Sequence, residues 1–98
     1  MGTDYEPTPI PTGHIVLSDE IIELVEILAE HAHDIWAAQR IQDGWTFGPQ
    51  RNDAERRHPC LIAYPQLTKN EQDYDRIMVV ESIRAMLALG FTISRAPG

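Results

Sequence analysis

His33, Trp36 and Arg40 stand at i, i+3 and i+7 of one predicted helix and so line a single edge of it. A flat indole beside a guanidinium, at the border of core and solvent, suits stacking on a planar ring while the cation meets an anion. The same spacing also fits a large core tryptophan whose indole N–H is satisfied inside the fold. The stretch GWTFGPQRNDAERRHPC, Gly44 to Cys60, brings complementary parts. Arg51, Arg56 and Arg57 can each fork onto a phosphate or carboxylate. Trp45 and Phe47 flank Thr46, so in an extended segment they point the same way. Gly44 and Gly48 permit backbone conformations closed to other residues, and Pro49 stiffens the exit. The competing reading has Trp45, Phe47 and Cys60 plugging a small core, with Arg51 paired to Asp53 or Glu55.

Other chemistries find less support. Neither G-x-x-x-x-G-K-[ST] nor G-x-G-x-x-G occurs, so the loop has no nucleotide-fold fingerprint. His31 and His33 are two apart and point to different sides of a helix, unlike the i, i+4 pair of a zinc helix. His58 and Cys60 lack a second ligand pair at zinc spacing, so no metal site is expected. Cys60 precedes Leu61 and Ile62 and reads as a buried, inert thiol. There is no G-x-S-x-G nucleophile motif, and no acid–base pair stands out among the many acids. The expectation is a protein without catalytic residues and without a cofactor.

The bulk numbers set the frame. Ninety-eight residues make one small domain, and 43% hydrophobic with 23% charged residues is a globular composition. A net charge of −7 argues against sequence-independent nucleic-acid binding, which needs a basic surface. Within that acidic chain, Arg40, Arg51, Arg56 and Arg57 supply half of the 8 Lys and Arg, leaving room for a local anion patch. No apolar run approaches the roughly 20 residues of a membrane span, no signal segment opens the chain, and the single cysteine forms no internal disulfide. A cytoplasmic location away from membranes is expected.

The elements that must position these residues are mainly α. Residues 1–16, with Pro7, Pro9 and Pro11, form an extended arm lying on the domain, anchored by Tyr5 and Ile10. Residues 17–95 form the domain proper. Ser18 caps a first helix running from about Asp19 to about Asp43, stopped by Gly44. Its apolar stripe, Ile21, Leu24, Val25, Leu28, Ala32 and Ile35, is the expected core face. Thr68 and Glu71 make a capping box for a short turn over Lys69–Asp73, and a second long helix spans Asp75–Leu89, ended by Gly90. That helix is apolar on two sides: Val79, Val80, Ile83, Met86 and Leu87 on one, Met78, Ala85 and Leu89 on the other. Burial between two layers, or partly against a second copy, would account for both. Phe91–Ile93 pairing with Leu61–Ile62 is the minimal β structure expected. The predicted fold is thus a compact small domain of two long packed helices, a short helical turn, an ordered loop and at most that pairing.

The string HAHDIWAAQRIQDGWTFGPQRNDAERRHPCL, followed by YPQLTKNEQDYDR and by a helix ending MLALGFTI, resembles the RyR domain, the repeat of ryanodine receptors. The W-x-x-x-R-I-x-x-G-W-x-F-G-P, R-x-D and H-P-C-L elements carry the likeness. The leading P-x-P-I-x-T and I-V-L-S extend it over about residues 5 to 93. The resemblance implies a helical module without established enzymatic activity. It also implies pairing of two repeats about a pseudo-twofold axis, which in a single-copy prokaryotic or phage-type version a homodimer would replace. Finally it implies nucleotide binding, with a base near Trp36. Channel function does not carry over.

The resulting expectation is a non-enzymatic, dimer-forming, cytoplasmic module that binds an adenine-nucleotide-like anion. Trp36 would stack on the base, helped by Trp45 or Phe47. Arg40, Arg51 and Arg57 would meet the phosphates. His33 shares the row of Trp36 and Arg40, while Asp53 and His58 order the loop or hydrogen-bond the ligand. The alternative is a purely structural protein–protein interaction module with no small-molecule ligand. A hydrolase or nuclease accessory acting through His58 is the least supported.

Overall fold

A computed structural model describes residues 4–97. The order of elements is α1 (Asp19–Ile22), α2 (Val25–Gln42), β1 (Thr46–Phe47), β2 (Arg57–His58), a 3₁₀ turn (Tyr64–Gln66) and α3 (Lys69–Ala88). The fold is mainly α, two long helices packed on each other with an ordered loop and one two-stranded pairing.

Both long helices begin or end where the caps require. The Ser18 side chain accepts from the Ile21 N–H at 3.3 Å to start α1. Gly44 and Gly90 take the left-handed backbone, φ 92° and 98°, that follows a helix end. At α2 the Gly44 N–H donates to the Ile41 carbonyl and the Trp45 N–H to the Arg40 carbonyl. At α3 Gly90 and Phe91 do the same to Leu87 and Met86. This paired closure ties Trp45 back over the last turn of α2, beside Arg40.

Three expectations need correction. The single helix over residues 19–43 is two pieces, because the Leu24 N–H turns to the Ile21 carbonyl, three residues back, and interrupts the i→i−4 ladder. The separate turn over 69–73 does not exist: the Thr68–Glu71 capping box is complete and opens one continuous α3 of 20 residues. Phe91–Ile93 pairs with nothing in a sheet. Thr46 and Phe47 instead lie parallel to Arg57 and His58, within the loop itself. A bridge between Asn52 and Arg57, with both N–H···O distances 2.9 Å, folds the loop back. Arg56 takes φ 55° to bring the chain alongside β1.

The core is small. Ala29, Tyr64, Leu67 and Ile83 are its buried apolar members, with Cys60, Ile62 and Val79 packed around them. The buried line of α2 is Ala29 and His33, not the stripe expected from periodicity: Leu24, Leu28 and Ile35 are exposed. Ala29 has no bulk beyond Cβ, so Tyr64 and Leu67 can close against α2 along that line. Between the helices, Glu26 of α2 takes a bidentate pair of 2.8 Å bonds from Arg76 of α3 and a 2.9 Å bond from the Tyr64 hydroxyl. Burial and that bond push the Tyr64 phenol up to about 12. The arm is held at Thr12, whose hydroxyl meets Glu81, and by Arg84, which donates to the Thr12 and Ile15 carbonyls at 2.7 and 3.2 Å. Tyr5 and Ile10, the expected anchors, are exposed.

Candidate functional site

The helix-end closure described above determines where Arg40 sits. Its guanidinium carbon lies 5.9 Å from the Trp36 ring centroid and 5.2 Å from that of Trp45, so the cation is bracketed by two indoles. Among the described residues the Arg40 side chain makes no hydrogen bond and no ion pair, although it is partly buried. A guanidinium stacked on rings and left without a carboxylate keeps its N–H fork free for an incoming acceptor.

His58 joins this group from β2. Its ring stands edge-on to Trp36 at 5.0 Å and to Trp45 at 6.2 Å. Nδ1 accepts the Cys60 N–H at 3.0 Å, so in the neutral ring the proton is on Nε2. Burial lowers its pKa first, then the positive charges of Arg51 and Arg40. His33 extends the row inward: its ring is 5.6 Å from Trp36, and Nε2 is 2.7 Å from the Ile62 carbonyl. His33, Trp36, Arg40, Trp45 and His58 therefore form one cluster at the end of α2.

The loop residues face elsewhere. Phe47, Arg51 and Arg57 line a separate cleft of about 480 Å³ together with Gly48 and Asn52. Arg57 and His58 are neighbours on a strand and so point to opposite sides, which divides the expected site in two. Trp45 and Phe47 do not share a wall. Phe47 is exposed, contrary to a core plug, while Trp45 is half-buried against Arg40. Arg51 is paired with Asp53 at 2.8 Å, both at the surface, so Asp53 neutralises the arginine it stands beside. Gly48 is buried over the Arg57 stem: a Cβ there would lie 2.7 Å from the Arg57 Cβ.

Trp36 also borders a cleft between α2 and α3 of about 360 Å³, shared with His33, His58, Glu71, Tyr74 and Asp75. The residues of α3 in this wall were not anticipated. Their 71, 74, 75 spacing puts them on one helical face, a signal visible only once α3 is started at Thr68. Cys60 borders the same cleft and donates to Glu71 Oε2 at 3.1 Å; burial and that carboxylate push the thiol up to about 11, which removes it as a nucleophile at neutral pH. Among the described residues no group of three His, Cys, Asp or Glu is arranged to hold a metal ion, and no helix is long and apolar enough to cross a membrane.

One comparison with known proteins bears on this architecture: the family model of the RyR domain matches residues 5–95, a span that includes both clefts and every residue of the Trp36 cluster.

Proposed function

Because this chain belongs to the RyR domain family, we propose that it is a non-enzymatic interaction module of the cytoplasm, a single repeat of prokaryotic or phage type that binds an adenine-nucleotide-like anion. The observation that carries the reading is Arg40, whose guanidinium lies over both Trp36 and Trp45 and whose N–H groups meet no acceptor among the described residues. Phosphate oxygens would take that fork, and Arg51, whose charge reaches the same His58 ring, would join them only on leaving its Asp53 pair. The exposed indole surface beside them would take the base. Arg57 and Phe47, in the neighbouring cleft, would contact the ligand only if it extends past His58.

The test is calorimetry with ATP, ADP and cyclic nucleotides, on the wild type and on Arg40→Ala. Binding that Arg40→Ala abolishes while helical circular dichroism is unchanged supports the reading. No heat from any nucleotide at millimolar concentration overturns it.

A second feature supports an interaction role with or without a ligand. Met78 on α3 and Leu89 at its C-cap are 67% and 63% exposed, and the arm leaves them so. Met78 also borders an apolar groove with Leu28, Ala32 and Val79 between the two helices. We read this face as the contact of a homodimer.

A further inference from the structure

The cleft beside Trp36 differs in chemistry from the arginine cluster, since its lining holds carboxylates and no Lys or Arg. We propose that it is a binding site for a small organic cation, an alkylammonium group held between Trp36 and Tyr74 and facing Asp75. It shares the Trp36 ring with the nucleotide reading but does not depend on nucleotide binding, since its charge comes from α3 residues that have no part there.

Four of the lining side chains carry rings (His33, Trp36, His58 and Tyr74), two are carboxylates (Glu71 and Asp75), and none is Lys or Arg. Ring faces attract a cation through their quadrupole, most strongly where water is partly excluded. The two carboxylates are not equivalent. Glu71 is committed to the fold: Oε1 accepts the Thr68 N–H at 2.9 Å and Oε2 the Cys60 thiol at 3.1 Å. Those bonds hold it ionised, the Thr68 amide contributing most.

Asp75 is the open acceptor. Among the described residues its side chain makes no hydrogen bond, and its one ion-pair partner, when that ring is protonated, is His33, with Nδ1 at 3.9 Å. His33 donates from Nε2 to the Ile62 carbonyl, so in the neutral ring Nδ1 is itself an acceptor and offers Asp75 no proton. Burial makes the Asp75 charge costly to hold, raising its pKa, and a cation entering the cleft would relieve that cost. A phosphate would meet two carboxylates here, which leaves the phosphate-binding role to Arg40, outside the lining of this cleft. A bare divalent metal would find too few oxygens, because the hard cations take six or more. Rings with a lone uncommitted carboxylate match an ammonium carrying methyl or methylene groups.

Calorimetry with choline, and with its neutral isostere 3,3-dimethylbutanol, tests the proposal on the intact protein. Choline should bind, with the alcohol weaker by about tenfold or more, as expected for a contact that depends on charge. Asp75→Asn and Tyr74→Ala should each weaken choline by about tenfold; Tyr74 is 69% exposed, so its truncation leaves the fold in place. Equal binding of choline and the alcohol, no choline binding, or choline binding unchanged in both variants overturns the proposal. Each of those outcomes is independent of whether ATP binds.

Discussion

Replacing Met78 by Lys should convert a dimer into a folded monomer. A monomeric domain of 11.1 kDa is expected to expose about 5,700 Å². This chain exposes 7819 Å², an excess of roughly 2,100 Å² over that scaling. Its radius of gyration, 16.6 Å, likewise exceeds the roughly 13 Å of a self-contained domain of about 100 residues. Part of the excess belongs to the arm and to the tail after Gly90. A standard interface needs only about 800 Å² from each partner, well under half of it. Met78 lies between the groove with Leu28 and Ala32 and the groove with Pro9 and Ile10, so it is central to the uncovered apolar surface. In the protomer it is mostly exposed, and Lys there should change fold stability by no more than about 0.5 kcal/mol. In an isologous contact the same substitution buries an unpaired ammonium from each copy, a cost of several kcal/mol. Even about 3 kcal/mol weakens the dimer by about 150-fold. Sedimentation equilibrium should give about twice 11.1 kDa for the wild type and 11.1 kDa for Met78→Lys, with unchanged helical circular dichroism. A wild type that stays monomeric to millimolar concentration, or a variant that dimerises as tightly, refutes the reasoning.

Three further outcomes follow from local geometry. Thr68→Ala removes the side chain that caps α3 and should cost about 1 kcal/mol, lowering the melting temperature by about 4–8 °C without affecting ligand binding at Arg40. Gly48→Ala forces a Cβ to within 2.7 Å of the Arg57 Cβ. The resulting shift should cost about 1–3 kcal/mol and show as faster amide exchange across the β1–β2 pairing. His58 titrates below the ordinary histidine value because of burial and of Arg51 and Arg40. With the folded pKa below the unfolded one, the unfolded chain takes up its proton first, so this group's contribution is lost as pH falls from the unfolded value through the folded one. His58→Gln should flatten that part of the stability curve. In the wild type, bound ATP should raise the His58 pKa, read by NMR, because it offsets the arginine charges.

How much of the site was legible in sequence can be judged from single residues. The stop at Gly44 was legible because a left-handed backbone is cheap only without a Cβ, and that stop is what folds Trp45 back over Arg40. The His33–Trp36–Arg40 row was legible as helical spacing. The division between His58 and Arg57 was not, because it depends on the two residues forming a strand, and neither has the β-branched or alternating pattern that announces one. The acidic wall of the Trp36 cleft was hidden for another reason: a helix begun at Asp75 leaves Glu71 and Tyr74 on a separate turn.

The local code of this chain determined its punctuation: Ser18 and Thr68 as helix starts, Gly44 and Gly90 as stops, a mainly helical domain, and a loop too rich in Gly, Pro and Arg to continue either helix. Tertiary structure decided what periodicity could not. Packing of Tyr64 and Leu67 against Ala29 chose the buried line of α2, and so turned Leu28 and Ile35 outward. The approach of α3 then set a carboxylate-lined cleft beside Trp36, the same ring that the Arg40 cation overlies. Both outcomes depend on bringing together residues more than 30 positions apart in the chain (Ala29 and Tyr64 in one core, Trp36 and Glu71 in one cleft), whereas caps and stops are settled within a few residues.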